Sequence, residues 1–122
     1  MPDVGDVERA SAVYRDTLLK MAEMSGGKGA VAAPRSWNRL VNRLETQRLV
    51  LSMSETGRAA ISALLDHPHP TVRLWAAADA LRWDEQRARQ VLESLRDSPD
   101  DVGLHSTSAR YTLKEYDAGR LR

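Results

Sequence analysis

The stretch Ile61-Ser62-Ala63-Leu64-Leu65-Asp66-His67-Pro68-His69-Pro70-Thr71-Val72-Arg73-Leu74-Trp75-Ala76-Ala77-Ala78-Asp79-Ala80-Leu81 decides how this chain folds. Its first residues place Ile61, Leu64 and Leu65 at helical spacing. Pro68 and Pro70 stop that helix, because each removes a backbone donor and disfavours helix in the residue before it. Pro70 also stands where a second helix can open, a position at which its missing N–H costs nothing. Two helices meeting at a tight corner need small side chains where their backbones approach. That role falls to Ala76, Ala77 and Ala80, with Val72 and Leu81 supplying bulk at the two ends. Asp66 just before the corner and Arg73 just after it are placed to pair with each other or with a neighbouring hairpin. One such hairpin cannot bury both of its faces, so flanking helices are required.

The flanks supply them. Val7, Ala10, Tyr14, Leu18 and Met21 form an apolar stripe that predicts a helix over 6–24, capped by Asp3 or Asp6. A glycine-rich linker follows over 25–34; it lacks the Gly-Lys-Ser/Thr ending and the preceding strand of a phosphate-cradling loop. Trp37, Leu40, Val41, Leu44, Arg48 and Leu51 predict a helix over 36–53 with Ser36 as its N-cap. Ala60, Ile61, Leu64 and Leu65 belong to a short helix over 56–66, and the helix opened by Pro70 runs to Trp83. Asp84 caps a helix over 85–97 with Ala88, Val91, Leu92 and Leu95 inward, and an acidic turn over 98–103 ends it. The last helix, 106–117, carries Ala109, Leu113 and Tyr116 on one side and stops at Gly119. No stretch alternates with period two, so no strand is expected. The expected fold is all-α, a stack of helical hairpins with about six helices in a single domain over 1–122.

Residues 61–81 resemble a HEAT repeat: a helix ending in Leu64-Leu65-Asp66, a proline turn, then Val72-Arg73 and Ala76-Ala77 leading to Ala80-Leu81. Over about residues 37–122 the chain also resembles a bacterial family, the domain of unknown function 2019. The pieces are Asn38-Arg39-Leu40, Leu64-Leu65-Asp66-His67-Pro68, Val72-Arg73-Leu74, Ala88-Arg89-Gln90-Val91-Leu92-Glu93, Thr112-Leu113 and Gly119. The resemblance implies a HEAT-like helical fold and assigns no activity. Where the family carries Pro-Gln-Ala-Gly before its final helix, this chain has Gly103-Leu104-His105-Ser106-Thr107, a departure at that loop.

Composition narrows the function classes. A chain of 122 residues can bury about two-thirds of its unfolded surface. The absence of cysteine excludes disulfides, thiolate metal sites and cysteine nucleophiles. No apolar run approaches the roughly 18 residues that span a bilayer, and Met1-Pro2-Asp3-Val4 does not open a signal peptide, so a cytoplasmic protein without membrane contact is expected. A net charge of +1 argues against a dedicated nucleic-acid binder.

No catalytic set stands out. His67 and His69 flank a proline and read as turn histidines facing solvent; with His105 they lack the spacing of a metal site. No carboxylate joins a His or Ser in a recognisable catalytic arrangement, and neither enzyme activity nor a cofactor or metal is expected. Surfaces are more informative. On the helix from Pro70, a 100° step puts Thr71, Trp75, Ala78 and Arg82 opposite Val72, Ala76, Ala80 and Trp83. Trp75 beside Arg82 is then either an interface hot spot or ordinary core. A second candidate is Arg35, Arg39 and Arg43, four residues apart and so on one helix face. Between Lys28 and Arg48 five basic residues stand against one acid, Glu45, a surplus of +4. Such a face can meet an acidic protein or a phosphate backbone, or stay solvated and balanced by Asp16 and Glu23 of the first helix. The leading expectation is a protein-binding module, such as an immunity protein that neutralises a toxin or an adaptor. The alternative is a nucleic-acid-binding helical domain using the arginine stripe.

Overall fold

The computed structural model describes residues 3–25, 34–98 and 105–120. Among these the chain forms six α-helices and no strand: α1 (Val4–Ser25), α2 (Pro34–Leu51), α3 (Glu55–Ser62), α4 (Pro70–Ala80), α5 (Glu85–Arg96) and α6 (His105–Asp117). A 3-10 turn, Ala63–Asp66, tightens the end of α3 before the prolines. The fold class is all-α. The linker 26–33, with Lys28, and the acidic turn from 99 to 104 lie outside the described residues.

The helix ends show which local signals decided. Asp3 caps α1 through a reciprocal pair: the Asp6 N–H donates to Asp3 Oδ1 at 2.8 Å and the Asp3 N–H to Asp6 Oδ2 at 3.3 Å. Ser36 does not cap α2. Pro34, whose ring presets a helical φ, opens the helix instead, and Ser36 lies within its first turn, accepting from Arg39 Nη2 at 3.2 Å. Asp84 precedes α5 without a capping bond and instead accepts from Arg87 at 3.2 Å. α4 ends at Ala80 rather than Trp83; the N–H groups of Trp83 and Asp84 both fold back onto the Ala80 carbonyl, at 3.1 and 2.7 Å. Gly119, at a φ of 77° that L side chains rarely adopt, ends the chain's last helical turn as expected.

The helices gather into two compact units, residues 1–61 and 62–122, each with its own interior. In the first unit α1 lies along α2. Tyr14, Leu18 and Met21 of α1 and Leu44 and Leu51 of α2 are buried, the residues that the 3.6-period pattern selects. The corner into α3 is unusually close. Ser54 Oγ accepts from the Gly57 N–H at 3.0 Å, and a Cβ on Gly57 would stand 2.1 Å from the Leu51 carbonyl oxygen. Only glycine fits there.

In the second unit α4 packs against α5, the 3-10 turn and α6, and α5 pairs with α6. Val72, Leu74, Ala76, Ala77, Ala80 and Leu81 are all buried, together with Ala88, Leu92 and Leu95 of α5 and Ala109 and Leu113 of α6. The alanines of α4 therefore admit α5 and α6 as close neighbours. Polar bonds tie the ends of this unit. Trp83 Nε1 donates to Ser62 Oγ at 3.1 Å, Tyr116 Oη donates to Glu85 Oε2 at 2.9 Å, and Arg89 of α5 pairs with Asp117 of α6. The pairing of Asp66 with Arg73 does not form. Arg73 Nη1 donates instead to the carbonyls of His67 and Pro68, at 2.9 and 3.0 Å, and Asp66 pairs with Arg87 at 3.3 Å. One turn into α4, the guanidinium lies under carbonyls in a segment from which the two prolines have removed N–H donors.

Ala76→Arg and Val72→Asp each force a charge into this interior and should lower the unfolding free energy by more than about 3 kcal/mol in urea titrations. A normally folded Ala76→Arg protein would refute the packing of α4. Gly57→Ala, in the other unit, should cost about 2 kcal/mol, because the Leu51 backbone cannot yield to a Cβ.

Candidate functional site

The outer side of α4 is less open than its sequence suggests. Thr71, expected there as a partner contact, is 1% exposed, and Trp75 is half-buried. A helix packed against a turn and two other helices keeps only a narrow strip in solvent, and its first turn lies beneath α6. Arg82 remains at the edge with its side chain 24% exposed. It is committed locally, 3.7 Å from the Asp79 carboxylate and donating to the Ala78 and Asp79 carbonyls at 3.4 and 3.3 Å. Carbonyls in the last turn of a helix have no N–H partner further along, and a basic side chain satisfies them. Trp75→Ala should therefore lower stability by about 2 kcal/mol, as partial loss of a buried aromatic does. An unchanged melting temperature in that variant would return Trp75 to the exposed surface.

The proline corner brings together residues that the sequence keeps apart. His69 is the N-cap of α4: its Nδ1 accepts from the Thr71 N–H at 3.1 Å. His67 Nδ1 accepts in turn from the His69 N–H at 3.0 Å. His105, first residue of α6, places Nε2 2.7 Å from Thr71 Oγ1. The three histidines are half-buried rather than solvent-facing turn residues. Burial holds the His69 pKa below its ordinary value, and the neighbouring His105, His67 and Arg73 push it the same way. Both Nδ1 atoms at this corner are already taken up in accepting backbone N–H groups. Among the described residues no group of three or more His, Cys, Asp or Glu is placed to hold one. Thr71 and His105 have the spacing of a nucleophile and its base, but the buried hydroxyl leaves a substrate carbonyl no approach. Nothing in the sequence foretold the pairing of Thr71 with His105; only their proximity in the fold reveals it.

A shallow groove in the same unit is lined by Leu65, Asp66, Arg73, Arg87, Gln90 and Val91. Its two arginines are already bound, Arg73 by turn carbonyls and Arg87 by Asp66 and Asp84.

The arginine stripe of the first unit is different. Arg35, Arg39 and Arg43 are all exposed, and a 100° step places them with Asn38, Asn42, Thr46 and Leu49 on the side of α2 opposite buried Leu44 and Leu51. Arg39 donates to Ser36 Oγ, and among the described residues neither Arg35 nor Arg43 meets a carboxylate. Arg48, counted in the basic surplus, turns away; its side chain is 12% exposed and paired with Glu45. The stripe ends beside apolar surface, Leu49 at 54% and Met53 at 52% exposed. Spacing by four signalled the three arginines in the sequence, while the apolar end had no such signal, because Leu49 reads as one more aliphatic residue of an amphipathic helix.

Among the described residues no helix is long and apolar enough to cross a membrane. No family model, curated protein or solved structure matches this chain.

Proposed function

We propose that this chain is a non-catalytic protein-binding module, of the immunity or adaptor class, that docks an acidic partner on the outer face of α2. The observation that carries this reading is the row Arg35, Arg39 and Arg43, exposed and bordered by Leu49 and Met53. At 1.5 Å per residue the three arginines span about 12 Å, a line that carboxylates spaced by four on a partner helix would match. Arginine is suited to this because its planar fork binds carboxylate in two places and loses less hydration than lysine would. The apolar end adds surface that can be dried, which gives an interface affinity beyond what exposed charges supply. The resemblance of residues 61–81 to a HEAT repeat supports a scaffold that presents helix faces. A secreted toxin is the partner that the immunity reading supplies.

A phosphate backbone would also suit three aligned arginines, and that is the competing reading. The net charge of +1 and the exposed Leu49 and Met53 favour protein. Arg39→Glu with Arg43→Glu separates the cases. The expected result is at least about a tenfold loss of affinity for a partner captured by the wild-type chain, with the melting temperature almost unchanged, as for most surface substitutions. Capture of the same partner with equal affinity by the reversed variant would dismiss the α2 face. Binding of DNA or RNA that falls steeply with salt, and is lost on reversal, would replace the protein reading with the phosphate one.

A further inference from the structure

Two helix N-termini meet at one buried hydroxyl in the second unit, and each begins at a histidine. His69 caps α4 by accepting the Thr71 N–H, and His105 opens α6 with Nε2 2.7 Å from Thr71 Oγ1. A helix N-terminus carries a partial positive charge, so a cation there is repelled. The charges acting on His69 come from His105 on α6 and from His67 and Arg73 on either side of it, and none is a carboxylate. Of the carboxylates on the neighbouring elements, Asp66 and Asp84 face Arg87, Asp79 faces Arg82, Asp97 faces Arg96, Asp117 faces Arg89, Glu115 faces Arg120, and Glu85 accepts from Tyr116. Among the described residues nothing at this corner compensates a proton added to His69.

We propose that this corner is an acid-sensitive latch: protonation of His69 breaks the cap of α4 and loosens the hold of α6 on Thr71. The neutral ring uses the Nδ1 lone pair to accept the Thr71 N–H. Adding a proton at Nδ1 turns that acceptor into a donor facing a donor, so the capping bond from the Thr71 N–H breaks. The new charge then stands at the start of α4, beside Arg73 and beside the start of α6. Loss of a cap and a like-charge contact act in the same direction. Arg73 adds to the effect because it is fixed by the His67 and Pro68 carbonyls and cannot easily swing away.

The direction of the pH dependence follows. Burial and neighbouring cations favour the neutral ring in the folded chain, so the stability supplied by the latch is complete above about pH 6.5, the unfolded value, and declines as the pH falls below it. Asp97 and Glu115 do not blur this window. Hydrogen bonds from Arg96 and Arg120 hold both carboxylates below their ordinary range, so they titrate at more acid pH.

Nuclear magnetic resonance of the imidazole Cε1–H groups in the full chain, from about pH 8 to about pH 5, reads the event directly. The His69 ring should titrate below about pH 6.5, and protection of the Thr71 amide from exchange should be lost with it. Over the same range the melting temperature of the wild-type chain should fall by about 3 °C or more. His69→Asn retains an oxygen able to cap α4 and has nothing to titrate, so its melting temperature should stay nearly level. Titration of His69 at or above about pH 6.5 would overturn the latch, as would an equal fall in melting temperature for His69→Asn. Should that variant not fold, the wild-type titration decides the matter alone.

Discussion

Two prolines remove two N–H donors from the corner between the 3-10 turn and α4, and the second unit is organised around replacing them. A corner of this kind has carbonyls and N–H groups that no helix ladder serves, and buried backbone groups left without partners are costly. Side chains take over: His67 and His69 accept the next free N–H groups in turn, and Arg73 donates to two carbonyls. With its backbone groups satisfied, α4 can start immediately and run into the interior. The ordering of α4 in turn fixes what α5 and α6 pack against. The corner is thus a hydrogen-bonding problem first and a packing arrangement second.

The chemistry of that solution explains why the histidines belong to structure. An imidazole Nδ1 accepts a backbone N–H only while it carries no proton of its own, so the cap that His69 gives α4 depends on that ring's protonation state. Asparagine or serine would cap α4 at any pH. Histidine adds a ring large enough to be half-buried, and two residues into α4 the Thr71 hydroxyl makes the contact with His105 of α6.

What could be read from the sequence divides along physical lines. Helix starts and stops were legible because proline and glycine act locally: Pro70 opens α4, Gly119 ends α6, and the apolar stripe of α1 is buried as its spacing requires. The faces of α4 were not. In an alanine-rich helix small apolar residues lie on every side, so nothing in the pattern marks which side meets water: Thr71, expected on the outer side, is buried, and Trp75, left open between surface and core, is half-buried. Asp66 with Arg87 and Thr71 with His105 join residues 21 and 34 positions apart, a distance over which helical periodicity carries no information. The arginine row of α2 was legible for the opposite reason: its members are four apart on one helix, and that spacing alone puts them in line.

Six of the other arginines contrast with that row. Arg73 and Arg82 are drawn onto helix-end carbonyls, while Arg87, Arg89, Arg96 and Arg120 each face a carboxylate. Such cations stabilise their own helix ends or tie two elements together, and their charge is largely spent within the fold. An exposed guanidinium with no carboxylate beside it contributes little to folding, and its field extends outward over about a Debye length of roughly 8–10 Å. Among the described residues Arg35 and Arg43 belong to this second group, and Arg39, which donates to a serine hydroxyl, stands between them. In a chain whose net charge is close to zero, three exposed arginines in one line on one helix face, with no carboxylate beside Arg35 or Arg43 among the described residues, concentrate positive potential on that face.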